Sequence, residues 1–382
     1  MQKVLIIGGG IGGATAALAL QKVGVAAEMF ERAPELKEVG AGIALWNAPY
    51  RALEQLGAGE KIRQCSTPLR FGLFGAASGK VFRRMDLEKI LGAEYCENFI
   101  IHRADLHSAI LSGIAESTIH TDHECEKIEQ HSDGVKVVFK NGKTAEGDVL
   151  IGADGFHSIV RKTLFGESQV RYSGQTCYRG IADITALQPQ VLAEIHGAGQ
   201  RFGIAPINER RVYWFAAMNA SHGEKDNPAN RRDFLIEKYR DWAFGIPEMI
   251  SATPNNILRN DLADYKPLEI WTKNRITLLG DAAHPMLPNL GQGACTAIED
   301  GFILARHIGQ KGANNRTLAA YEVERISRTT RIVNQSWQFG IPLLWTNPAA
   351  VWLRDKLFEY APKSMTEKIF RENIRFDAGH LN

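Results

Sequence analysis

The stretch KVLIIGGGIGGATAALALQKVGVAAEMFER, residues 3–32, decides the fold. It reads as a strand, a tight turn, a helix and a second strand. Lys3 to Ile7 is β-branched and apolar, the pattern of a strand buried on both faces. Gly8, Gly10 and Gly13 then fit G-x-G-x-x-G. The first glycine permits the turn, the second lets the backbone approach a pyrophosphate, and the third lets the helix pack closely on the strand. The helix start offers phosphates free N–H groups and a partial positive charge. About twenty residues on, Glu31 closes the second strand, where a carboxylate can grip a ribose hydroxyl, and Arg32 follows it. A solvated strand-end charge is the plainer reading of Glu31, but its place after the glycine turn favours ribose. The stretch predicts dinucleotide binding on a Rossmann-like α/β domain.

The continuation is not that of a nicotinamide dehydrogenase, which would go on alternating strands and helices. A Gly-punctuated loop leads instead to a helix at about residues 48–56. Residues 124–155, ECEKIEQHSDGVKVVFKNGKTAEGDVLIGADG, read as a meander with turns at Asp133-Gly134 and Asn141-Gly142. Further on, YSGQTCYRGIADI, QRFGIAPI and RRVYWFAAMN read as strands, the last two joined by a polar turn at Asn208 to Arg210. The expected organisation is a discontinuous nucleotide domain (1–70, 98–170 and 268–382) with an inserted β-sheet domain (71–97 and 171–267), which the family resemblance given below makes the substrate-binding domain. After Arg325 the chain reads as helical. Its Trp-rich segment FGIPLLWTNPAAVWLRDKLF, broken by Pro342 and Pro348, is expected to pack back on the nucleotide domain.

A second decisive stretch is GDAAHPMLPNLGQGACTAIEDG, residues 280–301. A buried strand, Ile276 to Leu279, runs into Gly280-Asp281. Pro285 and Pro288 stiffen the turn, and glycines open a helix that reads as ending in acids. Glycine there lets a ligand approach the backbone with no Cβ in the way.

Composition narrows the function classes. The 382 residues exceed one compact core, and 45% apolar with 23% charged residues is ordinary for a globular chain. A net charge of +2 without a basic block gives nucleic acid or anionic membrane no electrostatic handle. Cys65, Cys96, Cys125, Cys177 and Cys295 are scattered and never form C-x-x-C, which points to reduced thiols in the cytoplasm. Val4 to Leu20 is uncharged and ends near an Ala-Leu-Ala, but its glycines interrupt any signal helix. No run approaches a membrane span. There is no metal-ligand cluster, no H-E-x-x-H and no Ser/His/Asp pattern.

Taken together, the motifs resemble those of the single-component FAD-dependent monooxygenases, the aromatic hydroxylase family that includes hydroxybenzoate and salicylate hydroxylases. The resemblance rests on GGGIGG with Glu31, on GADGFHSIVR (152–161), on GDAAHPMLPNLGQGACTAIED (280–300) and on HRADLHSAIL (102–111). It runs from about residue 3 to residue 330. It implies a GR2-type FAD-binding domain in which Arg103 lies near FAD and Asp281 contacts its ribityl–pyrophosphate part. Gly291, Gln292 and Gly293 would face the flavin ring. Physical chemistry agrees, because reduced flavin carries negative charge that a helix N-terminus stabilises. Asp154 would support flavin and nicotinamide binding. Arg161 would be a pyrophosphate or nicotinamide-side contact, or else a surface charge. No second dinucleotide fingerprint is present, and the family takes NAD(P)H transiently without one.

The family roofs its substrate with a sheet, which makes Tyr178, Arg179, Arg201, Tyr213 and Phe215 pocket candidates. Strand alternation puts Tyr213 and Phe215 on one face and Val212 and Trp214 on the other, without saying which face looks at the cofactor. Arg201 opens an apolar strand and could pair with a substrate carboxylate or enolate. FAD-dependent urate hydroxylases are similar here, but they carry an Asp where this chain has Asn289. His284 could cap its loop or move a proton; His157 and His102 read as structural or flavin-adjacent. The expected activity is NAD(P)H- and O2-dependent hydroxylation of an aromatic or heteroaromatic molecule through a flavin C4a-hydroperoxide. Pro285 would shape the oxygen side, and Arg201 and Tyr213 would orient the substrate. Epoxidation or antibiotic modification on the same fold, a reductase without oxygen insertion and a non-catalytic flavin binder stay open, as do monomer and homodimer.

Overall fold

The computed structural model describes residues 2–36 and 41–381. Residues 37–40 of the Gly-punctuated loop lie outside them. The nucleotide side is a five-stranded parallel sheet in the order Ile276–Leu278, Val149–Gly152, Lys3–Ile7, Ala26–Phe30, Ile119–His120. Its central strand, Lys3–Ile7, has both neighbours parallel and four of its five residues buried, which explains the continuous apolar run. The Ile11–Lys22 helix covers this sheet, and the Gly293–Lys311 helix lies against that first helix. They can touch because the contact is built of small residues. A Cβ on Gly301 would stand 2.8 Å from the Ala16 nitrogen, and one on Gly12 would stand 3.2 Å from the Ala297 Cβ. The 125–147 region forms the antiparallel meander read from its two turns.

The second layer is a seven-stranded sheet ordered Leu258–Tyr265, Val170–Ala182, Val212–Asn219, Gln200–Pro206, Val191–Gly197, Phe71–Ala76, Val81–Asp86. Its outer face packs Phe202, Trp214 and Ala216 against the helices Arg231–Tyr239 and Ile246–Ser251. Its inner face carries Tyr213, with Ile181 and Phe215 beside it, against Trp46 and Cys295 of the nucleotide side. The Tyr213–Phe215 face is thus the one that packs toward the nucleotide side. Tyr178 is on the other face, packed in the outer core, so its place among the pocket candidates is corrected.

Two further expectations are corrected. Glu299 and Asp300 do not end the helix, which runs on to Lys311. The Pro348–Tyr360 helix packs on the seven-stranded sheet instead of on the nucleotide domain. Phe358 meets Phe74, Phe82 and His196, and the Arg354 guanidinium donates to the Gly197 carbonyl (2.9 Å). Phe358 and Arg354 make this contact, while Trp352, Leu353 and Leu357 of the same helix are exposed.

Candidate active site

The glycine turn is shaped by contacts that exclude side chains. Gly8 has φ +107°, and a Cβ there would fall 2.3 Å from the Ala153 carbonyl oxygen. A Cβ on Gly13 would lie 2.0 Å from the Gly8 carbonyl oxygen. Gly10 precedes the Ile11–Lys22 helix, and no side chain among the described residues caps that helix start. The uncapped first-turn amides are donors that a ligand can use. Glu31 is oriented in advance: Gly9 N–H donates to its Oε2 (2.8 Å) and Ala33 N–H to its Oε1 (2.9 Å). Arg32 beside it is exposed. Buried His107 bonds the Gly9 carbonyl through Nε2 (2.7 Å), a support that sequence reading missed because it comes from 98 residues away. Arg103 opens the Arg103–Leu111 helix, where its N–H donates to the Ala41 carbonyl (2.8 Å) and the His102 Nδ1 accepts from Ala104 N–H.

The GADG loop holds itself together. Asp154 accepts from the Ser158 hydroxyl (2.5 Å) and from Val160 N–H (3.2 Å), while burial pushes its carboxyl above the usual range. Arg161 is buried and not a surface charge. Its guanidinium donates to the carbonyls of Phe156 (2.7 Å) and Ala282 (3.3 Å) and lies 3.9 Å from the Tyr265 ring centroid. It thus ties this loop to the Gly280–Ala282 turn. His157 is exposed.

The 280–293 segment closes the site from the other side. Gly280 has φ +60°, a conformation that glycine tolerates, and its N–H donates to Asp300 Oδ2 (3.0 Å). The same oxygen bonds His284 Nε2 (2.6 Å), and Asp300 Oδ1 accepts from Arg325 Nε (2.6 Å). Burial alone would raise the Asp300 carboxyl, but His284 and Arg325 outweigh it and hold it at about 2. His284 is therefore locked into a buried ion-paired cluster. Arg325 also reaches Glu299, which Arg328 grips with two nitrogens. Asp281, one step from this anchor, is exposed, and its Oδ1 lies 3.9 Å from where a Gly293 Cβ would be. Pro285 is buried. Gly291 has φ +60°, and its carbonyl accepts from Trp46 Nε1 (3.1 Å). The Gly293–Lys311 helix has no side-chain cap, and the Gln292 Nε2 beside its start is buried without a hydrogen-bond partner among the described residues.

Above this lies the inner face of the sheet. Cross-strand pairing places Arg179, Phe215 and Gly203 in one row, and Cys177, Ala217 and Arg201 in the next. The Tyr213 ring lies on Gly42, where a Cβ would come within 2.5 Å of its Cδ1. Buried Arg201 donates to Glu194 Oε1 (3.1 Å) and to Asn289 Oδ1, and Asn289 Nδ2 donates to the Ser336 carbonyl (2.8 Å).

Residues 1–336 match the family described as "FAD binding domain". Aurachin C monooxygenase/isomerase of Stigmatella aurantiaca is 35% identical over 375 residues, covering 98% of each chain. The 2-heptyl-3-hydroxy-4(1H)-quinolone synthase of Pseudomonas aeruginosa is 30% identical, covering 96% of each. The chain belongs to the FAD-dependent monooxygenases. A crystal structure of Klebsiella pneumoniae HpxO with FAD and uric acid superposes on this flavoprotein with a TM-score of 0.91 at 26% identity, covering 98% of this chain and 96% of that one.

The residues present fit FAD. The Gly8–Gly13 turn leaves uncapped amides at a helix start, and Glu31 is preset beside it. A second helix start, bare of Cβ atoms at Gly291 and Gly293, has no side-chain cap among the described residues and carries a buried Gln292 amide donor with no partner among them. Together these are two donor arrays of the kind that phosphates and a charged ring edge call for. No described helix is long and apolar enough to cross a membrane.

Proposed function

We propose that this monooxygenase uses NAD(P)H and O2 to hydroxylate a small nitrogen heterocycle that carries a conjugated carbonyl group. FAD, when bound, supplies the electron transfer and the oxygen activation. The chain's own residues bind, orient and exclude water. Gly8, Gly10 and Gly13 cradle the pyrophosphate, Glu31 and Arg32 meet the ribose end, and Arg103, Asp154 and Asp281 hold the middle of the cofactor. The Gly291–Gly293 amides donate to the ring edge. Pro285 and Tyr213 border the reacting space, and Arg201 ties the sheet to the loop beneath it. The two relatives named for an aurachin and a 4(1H)-quinolone, with the uric acid of the similar crystal structure, support the substrate class. Five unpaired cysteines favour a reducing compartment such as the cytoplasm.

One observation carries this reading. The Tyr213–Phe215 face packs toward the helix start at Gly291–Gly293, through Trp46 and Cys295. This packing supports a reading in which the substrate roof and the cofactor ring site adjoin. The test is an anaerobic titration of FAD-loaded protein with NADPH or NADH, following the visible flavin band with and without 4(1H)-quinolones, urate and phenolic acids. One compound should speed bleaching at least tenfold and, in air, yield a product with one added oxygen. Equal bleaching with every compound and no oxygenated product would refute the reading.

A further inference from the structure

Beyond Phe215 and Ala217, the inner face of the sheet runs into a cleft. It lies between the Leu258–Tyr265 strand, the loop at residues 287–289 and the end of the Asn315–Gly340 helix. It encloses about 20 Å³ of free space, and about 290 Å³ when its open mouth is included. Leu262, Leu287, Trp337, Ile341 and Leu344 form its walls. Leu262 and Leu287 belong to one apolar cluster with Cys177 and Ala217 of the inner face, and Phe215 and Trp337 pack against it. The cleft thus continues the face that carries Tyr213 and Phe215.

Two contacts hold the walls in place. Gly340 has no side chain, and a Cβ there would stand 2.7 Å from Asn289 Nδ2, so the helix end closes directly on the loop. The Arg171 guanidinium lies 3.9 Å from the Trp337 ring centroid and is itself held by Asp264 at 2.7 and 2.8 Å. The polar groups in the lining are engaged with the protein. Asn289 donates to the Ser336 carbonyl (2.8 Å) and accepts from Arg201. Gln175 Nε2 donates to Asn219 Oδ1 (3.4 Å), and the Ser173 hydroxyl accepts from Gln175 N–H (3.3 Å). An ordered water needs several polar partners, and an apolar space without them stays dry. What the cleft offers is leucine, isoleucine and tryptophan surface, which gains from covering by an apolar group. A water-sized group takes about 30 Å³ in a liquid. The inner end therefore has the width of one methylene, and the open part has room for the rest of a chain.

We infer that the cleft is a subsite for an aliphatic chain borne by the heterocyclic substrate. The ring lies under Tyr213 and Phe215, and the chain runs past Leu287 and Trp337 to the mouth at Ile341 and Leu344. This rests on the monooxygenase reading for what lies under the roof, and deepens it by adding an apolar determinant of which heterocycle is taken. Leu287 and Asn289 share a loop with Gly291–Gly293, so a chain seated against them positions the ring relative to that helix start.

The experiment measures binding without turnover. Oxidised, FAD-loaded protein is titrated with 2-methyl-, 2-propyl-, 2-pentyl- and 2-heptyl-4(1H)-quinolone, and the shift of the visible flavin band gives each dissociation constant. Each added methylene should tighten binding about threefold until the chain passes the mouth, where the gain levels off. Leu344→Trp, which fills the mouth, should weaken the heptyl compound at least about tenfold and the methyl compound less than about twofold. Ile341→Asp sets a charge at the mouth and should weaken the heptyl compound about threefold while sparing the methyl compound. Dissociation constants that ignore chain length, or that improve equally in wild type and Leu344→Trp, would overturn the subsite, as would failure of all the compounds to perturb the flavin. Should Leu344→Trp not retain FAD, Ile341→Asp decides, because that side chain is 47% exposed and its replacement leaves the packing alone. Protein that binds the series in this way yet oxygenates none of it would sink the hydroxylase reading and leave the cleft standing. Protein that oxygenates a short-chain heterocycle with no gain from chain length would do the reverse.

Discussion

Asp300 ties the Gly280 turn to His284 and Arg325, and replacing it by Asn should cost both stability and FAD retention. Its oxygens accept from His284, Arg325 and the Gly280 amide at 2.6, 2.6 and 3.0 Å, all buried. In Asp300→Asn the new side chain could still accept on its one carbonyl oxygen, but Arg325 would lose half of its neutralisation and keep only Glu299, which it shares with Arg328. Removing one partner of a buried ion pair costs about 3–5 kcal/mol. The depressed pKa gives an independent figure: a fall from 3.8 to about 2 is worth about 2.5 kcal/mol. Because the folded value is the lower one, this contribution is complete above the ordinary carboxylate range and disappears as pH drops through about 2. We expect a loss of about 3 kcal/mol at neutral pH. Unfolding entropy of about 2.1 cal/mol/K per residue over 382 residues comes to about 0.8 kcal/mol/K, so the melting point should drop by about 4 °C. FAD retention should fall further, since Gly280 carries Asp281 into place. Circular dichroism melts of apo protein and flavin-fluorescence melts of holoprotein measure the two effects. Asp300→Asn with Arg325→Met should be less harmful than the two single losses added together. If Asp300→Asn melts within 1 °C of wild type and keeps FAD, the cluster does not support the site.

Gly8→Ala should abolish FAD binding and cost more than about 2 kcal/mol, because the new Cβ meets the Ala153 carbonyl at 2.3 Å in a left-handed conformation; flavin retained at wild-type occupancy would contradict this. Gly203→Ala places a Cβ 1.9 Å from the Phe215 ring, so the ring must leave its seat. About 1–3 kcal/mol of stability should go, and KM should rise more than kcat falls. His196 is held neutral, its pKa driven well below 6.5 by burial and by Arg354 and Arg201. The unfolded chain takes up that proton first, so stability declines as pH falls below 6.5, by up to ~1.4 kcal/mol per unit. His196→Phe, seated against the rings of Phe74 and Phe358, should flatten that decline between pH 7.5 and 5.5 in urea titrations; an unchanged pH slope would count against it.

Local physics explains what could be read from the chain. Strand, glycine turn, helix and Glu31 lie within residues 3–31, and each choice is made by backbone sterics close at hand. The meander was legible for the same reason, from its two Gly turns. Strand parity likewise separated Tyr213 from Trp214. Choosing between the faces needed Trp46 and Gly42, which approach from a distant part of the chain. The roles of Arg161 and Asp300 were illegible for the same reason. Arg161 reaches Ala282, 121 residues away, and Asp300 meets an arginine from the following helix. A buried guanidinium looks like a surface charge until its acceptors are assembled. The Pro348–Tyr360 helix misled because its sequence did not name its partner, and only the assembled fold brings Phe358 to Phe74, Phe82 and His196.

The order of the parallel sheet also has a consequence for how the chain is made. Its edge strand, Ile276–Leu278, pairs with Val149–Gly152, yet the ribosome delivers it more than a hundred residues later. Until then the nascent polypeptide holds Leu150 and Ile151, fully buried in the finished protein, on an open edge that any extended segment can extend. Fragments ending before residue 276 should therefore aggregate, and a slow pause before that point during synthesis would lengthen the exposure.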